Sequence, residues 1–123
     1  MANEVTTSVG FSASKSGATV SFSKSKQTTM AGAVMFQSVQ TIGTTTEAIA
    51  FPADFSGIPG WLMIYNMDST NFVQIGLDNA NPMTQAFAKL RAGEFMLLPA
   101  NTATLYADAD TASVNILVVG TMI

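Results

Sequence analysis

Apolar and polar residues alternate one for one through most of this chain, in short runs separated by turn-forming residues. A period of two sends successive side chains to opposite faces of an extended strand, whereas a helix needs a period near 3.6. Val5, Val9 and Phe11 fall on one face, with Thr6 and Ser8 on the other. Ala18, Val20 and Phe22 alternate with Thr19, Ser21 and Ser23. Between them, Lys15-Ser16-Gly17 reads as a hairpin turn, with Gly17 supplying a permissive backbone. Residues 27–32 break the pattern and read as a connector.

The remainder continues in the same style. Val34–Ile42 is apolar but irregular in phase, which suggests a strand carrying a bulge. Glu47–Phe51 alternates through Ile49 and Phe51, and 52–60, with two prolines and two glycines, reads as a loop. Trp61–Tyr65 is apolar on both faces, the mark of a strand buried on both sides or covered by a neighbouring subunit. Val73, Ile75 and Leu77 alternate again, followed by Ala86–Leu90, Phe95–Leu98, Ala103–Ala107 and Val114–Val119. Residues 81–93 also match a helix with Pro82 in its first turn and Gly93 past its end; their neighbours favour a strand. Nine or ten short strands with turns at intervals of about 8–12 residues give an all-β sandwich or barrel. At 123 residues, 48% of them apolar, one domain spanning 1–123 is expected. Within it, 1–27 forms an amino-terminal hairpin or docking arm.

The residue types that are missing narrow the function. The chain has no His and no Cys. That removes the commonest general base, the usual partner of a serine nucleophile, the thiol nucleophile and the usual ligands of transition metals. The remaining carboxylates, Asp68, Asp78, Asp108 and Asp110, lie in turn-like contexts where Asp favours local hydrogen bonding. Asp108-Ala109-Asp110 lacks the glycine and distal glutamate of a helical calcium loop. Gly57-Ile58-Pro59-Gly60 leads into a strand, so it is no phosphate loop. The expectation is a protein that is not an enzyme, with no cofactor, no metal and no small-molecule substrate.

Charge points the same way. Charged residues make up only 11% of the chain, and the net charge is −3. So few surface ions leave a small monomer short of solubility and suggest surface hidden in an assembly. Residues 1–40 carry Lys15, Lys24 and Lys26 against Glu4, a net +2. Residues 41–123 carry Lys89 and Arg91 against seven acids, a net −5. Ordinary solvation of turns accounts for this asymmetry; the alternative is an amino-terminal face that docks through its lysines on an acidic surface, with the acidic body facing outward. With net acidity and five basic residues, no nucleic-acid partner is expected, even with Phe87 beside Lys89 and Arg91. No run approaches the roughly 20 apolar residues of a membrane span. Residues 1–10 lack the basic and apolar regions of a secretory leader, so a soluble protein made in the cytoplasm is expected. Most of the eight Met residues suit a core. The group Met30, Met35 and Phe36, in or beside the connector, is the candidate exception.

Several phrases resemble small virion proteins of tailed bacteriophages. They are Gly60-Trp61-Leu62-Met63-Ile64-Tyr65-Asn66-Met67-Asp68-Ser69-Thr70-Asn71-Phe72-Val73-Gln74-Ile75-Gly76, Leu90–Phe95, Thr104–Ala107 and Val39–Thr44. The resemblance runs from about Ala18 to the carboxyl end, and Asn71-Phe72 stands where that family more often has Asn-Tyr. It implies a single β-sandwich, jelly-roll-like, of about 8–10 short antiparallel strands. It further implies a capsid-decorating (cement) protein located in the virion and made in the bacterial host's cytoplasm. Such a protein binds the major capsid protein as a symmetric homo-oligomer, with a trimer favoured; other head or tail components are the alternative. The apolar carboxyl end, including Met122 and Ile123, would suit a swapped or interface strand. The expected interface thus comprises Lys15, Lys24, Lys26, Met30, Met35, Phe36, Met122 and Ile123. A carbohydrate-binding sandwich is a further alternative, with Trp61, Tyr65, Phe72 and Tyr106 as its aromatic platform and Trp61 better suited to the core.

Overall fold

The computed structural model describes residues 3–30, 32, 34–55 and 57–122. They form ten strands, and there is no helix among them. The chain divides into two compact units, residues 1–32 and 33–122.

The first unit is a hairpin of β1 (Val5–Lys15) and β2 (Ala18–Thr28), paired antiparallel in unbroken register from Val5 opposite Thr28 to Lys15 opposite Ala18. Its two-residue turn has φ 52° at Ser16 and 84° at Gly17. Positive φ at both positions belongs to the turn whose twist matches that of the flanking strands, and Gly17 adopts it without a Cβ clash. At the open end, Met30 N–H donates to Glu4 Oε2 (3.3 Å) and Asn3 N–H to Thr29 Oγ1 (3.2 Å).

The second unit holds β3 (Met35–Ile42), β4 (Glu47–Ala48), β5 (Trp61–Asn66), β6 (Val73–Gly76), β7 (Ala86–Leu90), β8 (Phe95–Leu98), β9 (Tyr106–Ala109) and β10 (Val114–Thr121). They build two four-stranded antiparallel sheets, in the orders β3-β10-β5-β8 and β4-β9-β6-β7. The pairs β3–β10, β4–β9, β5–β8 and β6–β7 nest inside one another, like one long hairpin rolled up on itself. Pairs β10–β5 and β9–β6 close the roll. This is the jelly-roll order, an all-β sandwich. Its core is a single cluster drawn from both sheets. Ile42, Leu62, Ile64, Val114, Ile116 and Val118 face Val73, Ile75, Leu90, Ala107 and Ala109, with Ile49 and Leu105 alongside.

Three details depart from the sequence reading and one agrees with it. β3 pairs with β10 without a register shift; the irregular phase arises because Phe36 and Ile42 point inward while Met35 and Val39 point outward. The irregularity lies between β6 and β7, at Ile75/Gly76. The strand expected over 47–51 ends at Ala48, and β9 runs on to Ala109, which places Asp108 in a strand. Residues 86–90 are a strand, as their neighbours suggested.

One buried polar residue organises the end of the roll. Asn66, fully buried, donates from Nδ2 to the carbonyls of Asn71 (2.9 Å), Leu90 (2.9 Å) and Arg91 (3.1 Å). Its Oδ1 accepts from Asp68 N–H (2.8 Å). A single amide thus satisfies backbone groups from β7 and from the loops that follow β5 and β7.

Candidate functional site

Directly opposed residues in an antiparallel sheet share a face, so the register assigns every side chain of β3-β10-β5-β8 to one side or the other. The outer side carries three rows. Met35, Thr121 and Trp61 form one; Gln37, Val119, Met63 and Leu97 the next; Val39, Leu117, Tyr65 and Phe95 the third. Beyond the third row lie Thr41 and Asn115, bonded to each other (2.7 Å). No Lys, Arg, Asp or Glu stands among these residues. An antiparallel sheet ordinarily alternates apolar toward the core and polar toward water. Here both sides are apolar, with Phe95 70% exposed, Met35 64% and Val39 56%. Thr121 Oγ1 is buried in the middle of the first row with no hydrogen-bond partner.

The other sheet carries charged and polar groups on its outer side. Its outer side crosses Lys89, Gln74 and Asp108 in one row. Lys89 Nζ sits 4.2 Å from the centre of the Phe72 ring, and Asp108 Oδ2 accepts from Thr46 Oγ1 (3.1 Å). One outer face thus mixes charged, polar and apolar groups, with Asp108 itself buried and Phe87 of β7 exposed, and the other is apolar without charge.

The hairpin is two-faced as well. Thr6, Ser8, Gly10, Ser12 and Ser14 share one side with Gln27, Ser25, Ser23, Ser21 and Thr19. The opposite side sets Phe11 against Phe22, Ala13 against Val20, Val9 against Lys24 and Thr7 against Lys26, with Lys15 by the turn. Val9, Phe11, Val20 and Phe22 are all exposed. Lys15, Lys24 and Lys26 therefore stand on the same side as the exposed apolar row, an arrangement the alternation pattern implies once the register is known.

Of the other expected interface residues, Met35 lies on the outer sheet face, while Met30 and Met122 are partly buried. Phe36 points inward, with ring centroids 5.5 Å from Phe51 and 5.0 Å from Phe55, so it belongs to the core margin and not to the surface. Ile123 lies outside the described residues. The residues missed were Phe95, Leu97, Leu117 and Val119; Tyr65 was singled out only as part of an aromatic platform. Their signal was present: apolar residues at both odd and even positions of β5, β8 and β10. Trp61 and Tyr65 share the outer face, but Tyr106 belongs to the other sheet and Phe72 precedes β6, so the four aromatic residues make no common platform.

The carboxylates act as loop staples. Asp78 accepts from Thr84 N–H (3.0 Å), Thr84 Oγ1–H (2.7 Å) and Gln85 N–H (2.7 Å). These bonds, those from Thr84 foremost, lower its pKa to about 2. Asp68 accepts from Asn71 N–H (2.6 Å) and Thr70 N–H (2.9 Å), and its pKa is lowered by the same cause. Both are held as anions and occupied by backbone donors. Among the described residues, no group of three acidic side chains converges in a way that could hold a metal ion.

Comparison with known proteins finds no matching family model, no matching curated protein and no matching solved structure.

Proposed function

We propose that this chain is a structural virion protein of a tailed bacteriophage, one that decorates and stabilises the capsid by binding the major capsid protein as a symmetric oligomer. The observation that carries this reading is the uncharged apolar outer face of β3-β10-β5-β8. Apolar patches beyond a few hundred Å² on a soluble domain mark interaction sites, and depletion of charge with aromatic and Met enrichment is the signature of an interface centre. The sequence phrases resembling phage virion proteins supply the setting. A cement protein gains strength by engaging several joints at once, so modest contacts add through avidity and no catalytic group is required. The two separate apolar surfaces of this chain suit such a role.

Copy number in purified particles, measured by quantitative mass spectrometry, tests the proposal. It should be of the same order as that of the capsid subunit, and the isolated protein should sediment as an oligomer, with a trimer favoured. A monomer present in only a handful of copies per particle would instead fit a head-fibre base, a tail adaptor or a fibre domain.

A further inference from the structure

We propose that the lysine-bearing apolar face of the hairpin docks on the acidic body of a second copy of this chain. The inference rests on the oligomeric part of the reading above and adds which surfaces meet. A two-stranded ribbon has no second layer to cover its apolar side, and such ribbons are marginal alone in water. Val9, Phe11, Val20 and Phe22 therefore call for an occupant.

Charge selects among the candidates. Lys15, Lys24 and Lys26 lie on that same side, so two such faces stacked on each other would oppose like charges. The complement is carried by the chain itself, since residues 41–123 hold a net −5. The outer sheet face is apolar at its centre, and Glu94 and Asp68 lie at the end where Tyr65 pairs with Phe95. Glu94 is paired there with Arg91 (3.5 Å), which leaves that end a net charge of −1. An apolar row flanked by lysines thus meets an apolar face with one weakly acidic end.

Size calls for more than one contact. At strand spacings near 4.8 Å and rises near 3.4 Å per residue, the hairpin side offers roughly 350 Å² and the sheet face roughly 400 Å². A single contact is thus about half the ~800 Å² that each partner contributes to a standard interface, and a closed ring, in which every copy makes two such contacts, makes up the difference. A hairpin-to-body contact is head-to-tail, the kind that closes into a ring when the rotation permits.

The test uses the full chain with photoreactive benzoylphenylalanine at Phe22, mixed in equal amounts with an isotopically heavy copy, irradiated and mapped by mass spectrometry. Links from the hairpin of one isotope to residues 33–122 of the other are expected. K24E/K26E should weaken self-association at least tenfold. Links confined to one copy, links between two hairpins, or no link at all overturn the inference. Repeating the irradiation with purified capsids separates it from the virion assignment. Links to the capsid protein in place of the second copy overturn the inference and leave capsid binding standing. Copy-to-copy links without capsid binding uphold it and remove the virion assignment.

Discussion

Ile116 and Leu117 are neighbours on the central strand β10, and they answer to different parts of the molecule. Ile116 is fully buried on the inner side, in register with Gln40 and Asn66. Leu117 is half-buried on the outer side, between Val39 and Tyr65. Ile116→Ala removes buried carbon atoms from the core, and changes of that kind cost about 2–5 kcal/mol of folding stability. Leu117→Thr keeps a strand-favouring residue and opens no interior cavity, so the isolated subunit should lose less than about 1 kcal/mol. Its cost falls on association. Burying a whole Leu contributes about 1.5–3 kcal/mol, and half of the side chain is already covered within the subunit. About 0.8–1.5 kcal/mol is therefore lost per contact, a three- to tenfold rise in Kd. Urea unfolding at concentrations below dissociation reads the first quantity, and sedimentation velocity across a dilution series reads the second. If Leu117→Thr destabilised the subunit as much as Ile116→Ala, or left self-association and capsid binding unchanged, the outer face would not be an interface.

Three further outcomes are expected. Asn66→Ala strips three carbonyls and one N–H of their partner; at about 1 kcal/mol per bond it should cost about 2–4 kcal/mol, read from the urea midpoint with an unchanged slope. The Asp78 carboxyl, followed by carbon-detected NMR, should titrate at about 2. Because its folded pKa lies below the unfolded value of 3.8, its contribution is complete above pH 4 and lost as pH falls through about 2. Asp78→Asn should remove that part of the acid dependence. In Gly120→Ala the new methyl meets the Phe36 ring, displacing it from Phe51 and Phe55 at a cost of about 1–3 kcal/mol. Phe36→Leu in the same chain should recover part of that loss, since residues in contact do not act additively.

Much of the fold was legible because strand alternation and turn chemistry are local. Lys15-Ser16-Gly17 placed the hairpin turn, and Trp61–Tyr65, apolar on both sides, already read as a strand buried on both faces or covered by a neighbouring subunit. What the chain did not declare depends on pairing. Val39 looked out of phase because the second apolar face was not yet visible. Asn66 carried no signal in the sequence, because the three carbonyls it serves come from residues 71, 90 and 91. Phe36 sat beside exposed Met35 in sequence, yet one step along a strand reverses the side, and the Phe51–Phe55 cluster that receives it is formed by a loop. Asp108 resembled a turn residue because its bond to Thr46 joins positions far apart in the chain. The candidate surface was half visible: the lysines were found, while the face that Leu117 and Phe95 complete needed the register.

The nested strand pairs also set how the chain can close. The innermost rung joins Gly76 to Ala86, the next joins Tyr65 to Phe95, then Ala48 to Tyr106, and the last joins Met35 to Thr121. Formed in isolation, the outermost rung would have to shut a loop of most of the body, an unfavourable search through chain conformations. Formed in order from the inside, each rung shuts only the short stretch left open by the one before it. The roll can thus be assembled like a zip fastener drawn from its middle outward. Its last act brings Met35 beside Thr121 and so completes the apolar outer face.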